Sequence, residues 1–130
     1  MEINVSQHVG RVPVTVFHLT GNLTHEEPLH SELQQAYGAG MRYLLLDLTR
    51  VPYMSSGGLR AINQAYMLLR QSEPPTSSKA VSQGIAAGTY HSPHLKLLNP
   101  SKRAMETISI AGFDMFLEIH KNLAEAVASF

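Results

Sequence analysis

The chain contains no cysteine. Disulfides, thiolate metal sites and a cysteine nucleophile are therefore all excluded, and the fold needs no oxidising compartment. Charge of either sign is not in excess: ten Lys and Arg against ten Asp and Glu give a formal net charge of zero. A general nucleic-acid binder or a binder of anionic membranes would carry a basic footprint, so direct contact with nucleic acid is not expected. No apolar run approaches the ~20 residues needed to span a bilayer. The opening residues, MEINVSQHVGRV, also lack the basic start and apolar block of an export signal. The expectation is a cytoplasmic protein without a membrane span. Catalytic signatures are missing too. There is no Gly-x-Ser-x-Gly elbow, no Gly-Lys-Ser/Thr phosphate loop and no His-Glu-x-x-His pair. Seven histidines are present, but neither His25 with His30 nor His91 with His94 has a companion ligand in a metal-binding pattern. No metal, no cofactor and no enzymatic activity are expected.

What is present is organised around residues 43–70, YLLLDLTRVPYMSSGGLRAINQAYMLLR. Tyr43 to Leu48 is a nearly continuous apolar run interrupted by Asp47, too short for a lone helix and suited to a parallel strand buried on both faces. Ser55-Ser56-Gly57-Gly58 reads as a tight turn, after which Leu59, Ile62, Tyr66 and Leu69 recur at helical spacing. The glycines admit backbone conformations closed to other residues, and the serines stand where a helix leaves its first N–H groups unpaired. Strand, turn and helix form one unit, with Asp47 near the carboxyl end of the strand, where open α/β sheets place ligands.

The rest of the chain fits around that unit. Residues 2–8 alternate apolar and polar side chains, and Pro13 to Leu19 is a second extended run, so a hairpin is expected across Gly10-Arg11. Thr24 and Glu27 have the spacing of a capping box, predicting a helix from Thr24 with Pro28 in its first turn and Leu29, Leu33, Ala36 and Tyr37 inward. Residues 72–93 contain Pro-Pro, Ser and Gly without periodicity and read as a mobile loop. A short strand follows at Leu95 to Leu98. Next comes a helix opened by Asn99-Pro100, with Ala104, Ile108 and Ala111 inward and Gly112 past its end. Met115 to Ile119 is read as the last strand, with a terminal helix capped near Asn122 that turns Leu123, Val127 and Phe130 inward. Strands alternating with helices imply right-handed crossovers and a mostly parallel sheet, here with an antiparallel edge strand. At 130 residues the expectation is one α/β domain over 1–130 with the 72–93 loop inserted.

Two readings of the serine turn stand side by side. Ser55 and Ser56 are ordinary helix caps, or one of them is a regulatory phosphorylation site. A phosphoserine adds about −1.5 to −2 charges, which a helix N-terminus tolerates but a docked partner surface does not. Asp47 and Thr24 would support the turn from neighbouring segments. Met54, if exposed beside the turn, would suit a partner helix.

The segment LLLDLTRVPYMSSGGLR resembles the corresponding stretch of STAS domains, the sulfate transporter and anti-sigma factor antagonist family. The matching residues are Asp47-Leu48, Tyr53-Met54 and Ser55-Ser56-Gly57-Gly58-Leu59-Arg60. The ending Asn99-Pro100-Ser101, Ile108-x-x-Ala111-Gly112-Phe113 and Asn122-Leu123-x-x-Ala126 is similar to the family's as well. The resemblance implies a STAS-like α/β fold. It also implies a protein-binding module that captures an anti-sigma factor, a serine kinase, through Met54, Ser55, Ser56, Gly57, Gly58, Leu59 and Arg60, thereby releasing a sigma factor. A homodimer is open to such a domain. In the family the phosphorylated residue is the Ser directly before Gly-Leu, a position held here by Gly57, so the acceptor would move to Ser56 or, as a lesser candidate, to Ser55. Ser55 and Thr24 stand where many members carry Asp, and residues 72–93 replace a short turn. These departures give weight to an alternative: a non-phosphorylated STAS subunit of a transport-associated or signalling assembly.

Overall fold

The computed structural model describes residues 1–71, 83–85, 88 and 90–130. Its centre is a five-stranded sheet in the order β1 (Glu2–Val9), β2 (Pro13–Thr20), β3 (Leu44–Arg50), β4 (Leu95–Leu98), β5 (Ile119–His120). The first pair is antiparallel and the remaining pairs are parallel. Helices α1 (Leu29–Gly38), α2 (Ser56–Arg70) and α3 (Lys102–Ile110) make the crossovers, and α4 (Leu123–Ala128) closes the chain. The α/β order, the antiparallel edge and the mostly parallel sheet expected from the sequence are all found.

The composition of β3 follows from its place at the centre. Leu44, Leu46 and Leu48 belong to the larger core, with Phe17, Leu33, Ile62, Leu69 and Leu97, whereas Leu45 belongs to a smaller one with Val14, Val16, Leu98, Ala126 and Val127. Successive side chains point to opposite faces, so a strand covered on both faces must be apolar throughout. Asp47 interrupts the run, and its carboxylate is met by His18 of β2, with Asp47 Oδ2 2.7 Å from His18 Nδ1. Lys96 is buried beside Leu45 in β4. Its Nζ donates to Ser129 O at 2.8 Å and Ser129 Oγ at 2.9 Å, lies 3.1 Å from Glu118 Oε2, and so ties the end of α4 to the sheet.

Three local expectations are corrected. The capping box does not form: α1 begins at Leu29, its N-cap is Pro28 without a side-chain cap, and Glu27 Oε2 instead accepts from Ser31 Oγ at 2.6 Å. Residues 22–24 are held away from α1 because they pack on α2. Ala111 is exposed, since it is the C-cap residue just beyond α3. Phe113–Met115 is a 3-10 turn, so the last strand starts only at Ile119; the intervening Phe113, Phe116 and Leu117 fill the core rather than pairing. Of the mobile loop expected at 72–93, residues 72–82, 86, 87 and 89 lie outside the described residues. Its end is anchored: Tyr90 Oη lies 3.1 Å from Tyr66 Oη, and Ser92 N–H donates to Phe116 O at 2.8 Å.

Leu46 is fully buried at the middle of β3. Leu46→Ala is expected to lower the unfolding free energy by about 3 kcal/mol in urea titration with an unchanged m-value.

Candidate functional site

The serine turn forms where β3 hands the chain to α2. Ser55 is the N-cap: its Oγ accepts from Gly57 N–H at 3.1 Å while donating to Thr24 O at 3.2 Å, and its N–H donates to Leu23 O at 3.1 Å. Leu23 also forms an isolated parallel bridge with Met54. The segment after β2 is thus laced to the entrance of α2 by backbone bonds. Thr24 supports the turn through its carbonyl rather than its side chain.

This lacing explains Gly57-Gly58. A Cβ on Gly57 would overlap the Thr24 carbonyl oxygen, and one on Gly58 would overlap the Leu23 carbonyl oxygen and crowd the Met54 side chain. Both glycines are buried in the first turn of the helix, where their backbone freedom is an entropic cost of folding. The close approach is what requires them.

The predicted site residues divide by accessibility. Ser56, the first helical residue, is exposed, as is Arg60 one turn later, while Ser55 and Leu59 are half-buried. Met54 is corrected: only 1% of its surface is accessible, it sits in the main core, and its side chain cannot meet a partner. The exposed aromatic of this region is Tyr53, with the Arg103 guanidinium 5.1 Å from its ring centroid. Arg60 Nε lies 3.3 Å from Glu26 Oε1, an exposed ion pair that holds the guanidinium over the turn with little effect on stability. The accessible surface is therefore Tyr53, Ser56, Leu59, Arg60 and Arg103.

Asp47 lies apart from this surface, in a polar row across the sheet. Its Oδ2 is 2.7 Å from His18 Nδ1, and His18 Nε2 and His8 Nε2 are each 2.9 Å from Ser6 Oγ. Asp47 Oδ1 accepts from Thr49 N–H at 3.0 Å and Thr49 Oγ1 at 2.5 Å, and Asn99 Nδ2 donates to Thr49 Oγ1 at 3.3 Å. Asp47 therefore pins the end of β3 rather than the serine turn directly. With Asp47 ionised, His18 Nδ1 donates to it. A neutral His18 then accepts from Ser6 Oγ–H, which in turn accepts from His8 Nε2–H. The atom order matches an acyl-transfer triad. Ser6 is nonetheless shared between two imidazoles in mid-strand, and its N–H is used in the β1–β2 ladder, so no oxyanion site adjoins it. The sequence carried a signal for this row: Asn4, Ser6 and His8 alternate with Ile3, Val5 and Gln7, and His18 follows Val14 and Val16 at the same period. Among the described residues, no group of three or more His, Cys, Asp or Glu is placed to hold a metal ion. His94 instead lies 2.7 Å from Arg42 O through Nδ1 and stacks on Tyr43.

Burial pushes the Asp47 carboxyl up. The Thr49 hydroxyl, His18 and the Thr49 N–H together outweigh it and hold the group below its ordinary value. A carboxyl depressed in the folded state contributes stability that is complete above the unfolded value of about 4 and is lost as pH falls through the folded one. The cost of Asp47→Asn, read by urea unfolding, is therefore expected to be about 1–2 kcal/mol at pH 7 and to shrink towards pH 3. A second expectation concerns Gly57. Gly57→Ser, which restores a hydroxyl where the resembling family has one, should lower stability by about 2 kcal/mol despite serine's better helix propensity, because the Thr24 carbonyl must move.

Comparisons with solved structures agree with this fold. A crystal structure of TM1081 from Thermotoga maritima, described as a putative anti-sigma factor antagonist, aligns over 87% of this chain and 83% of its own, with a TM-score of 0.61 and 16% identity. The anti-sigma factor antagonist SpoIIAA in its unphosphorylated form aligns over 95% and 92%, with a TM-score of 0.60 and 16% identity. The Bacillus cell fate determinant SpoIIAA in the phosphorylated form aligns over 97% and 96%, with a TM-score of 0.62 and 17% identity. No curated protein matches the chain by sequence. No helix among the described residues is long and apolar enough to cross a membrane. The family model described as the STAS domain matches residues 2–73, more than half of the chain, and with the five-stranded sheet and serine turn in place the chain belongs to the STAS domain family.

Proposed function

We propose that this STAS domain is a protein-binding regulatory module of the anti-sigma factor antagonist type. It binds an anti-sigma factor kinase through the N-terminus of α2 and releases a sigma factor. The observation that carries the reading is the exposed Ser56 at the first helical position, with Arg60 one turn along and Tyr53 and Arg103 beside it. A surface of one aromatic, two arginines and a hydroxyl has the composition of a protein interface. A phosphate on Ser56 would sit on a 15-residue helix, where the dipole offsets its charge within the domain, while the same charge would oppose docking. The likeness to SpoIIAA in both its forms supports the antagonist type through the fold.

One observation favours a second reading, a non-phosphorylated STAS subunit of a transport-associated or signalling assembly. Gly57 stands at the family's usual acceptor position, and the Thr24 carbonyl occupies the space that a side chain there would need. Such a subunit would bind without a switch.

Mass spectrometry of the chain incubated with anti-sigma factor kinases and ATP, alongside pull-down of each kinase, separates the two readings. The antagonist reading expects phosphate on Ser56, none in Ser56→Ala, and kinase capture reduced about tenfold or more by phosphorylation. It also expects Arg60→Glu to weaken capture by a similar factor with the fold unchanged. Kinase capture without phosphate means a permanently active antagonist. Neither capture nor phosphate would leave the assembly subunit.

A further inference from the structure

The two edges of the sheet are built differently. β5 is only two residues long and is followed by Lys121. β1 is eight residues long, keeps an unbroken register with β2, and contains neither Lys nor Pro. Short strands, bulges, Lys and Pro are the usual means of keeping a sheet edge from pairing, and β1 has none of them.

The hydrogen-bonding phase of β1 follows from its neighbours. Gly10 N–H donates to Val12 O, Thr15 N–H donates away from β1 to Tyr43 O, and Pro13, which has no N–H, stands opposite Val9. The even residues of β1 therefore exchange bonds with β2, and the N–H and C=O groups of Ile3, Val5, Gln7 and Val9 point outward. A strand from another molecule could meet all of them.

We infer that the partner for this edge is β1 of a second copy of the chain, paired antiparallel about a two-fold axis at Val5 to give a continuous ten-stranded sheet. The register comes from self-complementarity. Centred on Val5, each Glu2 faces His8 of the other copy, each Met1 faces Val9, and Val5 faces itself. The exposed apolar residues of the edge, Met1, Val5 and Val9, are 40%, 48% and 85% accessible and would all meet apolar partners. Centring on Ser6 would place Glu2 opposite Gly10 and Val5 opposite Gln7, losing both the polar and the apolar matches. An edge contact of this length lies at the lower end of interface sizes, so it forms a concentration-dependent equilibrium rather than an obligate dimer. The inference is independent of what the serine turn binds.

The absence of native cysteine makes the register directly testable. At the two-fold position the Val5 Cα atoms would lie ~5.5 Å apart, within disulfide reach, whereas the Val9 atoms would be eight residues out of register, ~27 Å apart. Val5→Cys is expected to give a covalent dimer on mild oxidation and Val9→Cys none. Sedimentation velocity of the unmodified chain should show a reversible monomer–dimer equilibrium. Glu2→Lys should weaken it about tenfold, and Glu2→Lys combined with His8→Glu should restore it. The proposal would be overturned by a monomer at every concentration, by cross-linking through Val9→Cys in place of Val5→Cys, or by a charge swap that fails to rescue association in a chain with native circular dichroism.

Discussion

A close backbone approach joins the Leu23–Thr24 segment to the first turn of α2, and the site depends on it. Leu23 O accepts from Ser55 N–H, Thr24 O accepts from Ser55 Oγ, and no side chain fits at positions 57 or 58. The chain accepts two glycines in a helix, with their entropic cost, because that contact fixes the angle at which α2 leaves β3. The same contact prevents a capping box at Thr24 and delays α1 to Leu29. It turns Ser56 and Arg60 outward and buries Met54 beneath them. One packing decision thus sets both the fold around the turn and the surface that the turn presents.

This arrangement changes what phosphorylation could mean here. A hydroxyl at position 57 would compete for space with the Thr24 carbonyl, so the acceptor position of the resembling family is filled by backbone. Ser56 is one residue earlier in the helix, a rotation of about 100° about its axis. A phosphate there would project over a different part of the surface, near Arg60 and away from the Thr24 segment. A phosphate at Ser56 would still lie at a helix N-terminus, with the direction of its charge changed. Glu26, already paired with Arg60, is the group that such a phosphate would displace.

Much of the architecture was legible in the residues because the signals were periodic. Leu44 to Leu48 must be apolar on both faces, Leu95 to Leu98 is a strand in every position, and Ser55 and Asn122 are N-caps whose side-chain bonds form as their residue types suggest. Local signals failed where tertiary packing outweighed them. Thr24 and Glu27 have ideal capping spacing, but the Thr24 backbone is committed to Ser55. Met115 to Ile119 looks like a strand, yet pairing starts only at Ile119, because Phe116 packs on Tyr66 and Leu117 is buried in the core. Met54 has the composition of an interface residue and lies buried because Leu23 pairs with it. The Asp47 row was only half legible: Asp47 stood out in its run, whereas His18, Ser6 and His8 become partners only through a cross-strand register that no single strand encodes.

The central claim is that the exposed N-terminal turn of α2 is where this STAS domain meets its protein partner. Amide hydrogen exchange of the chain alone and in complex with a captured anti-sigma factor kinase tests it most directly, because protection is read segment by segment. The account predicts new protection in residues 53–60 and in the adjoining start of α3 around Arg103, with the polar row at Asp47 unchanged. Protection confined to other surfaces, with 53–60 exchanging as in the free chain, would contradict it.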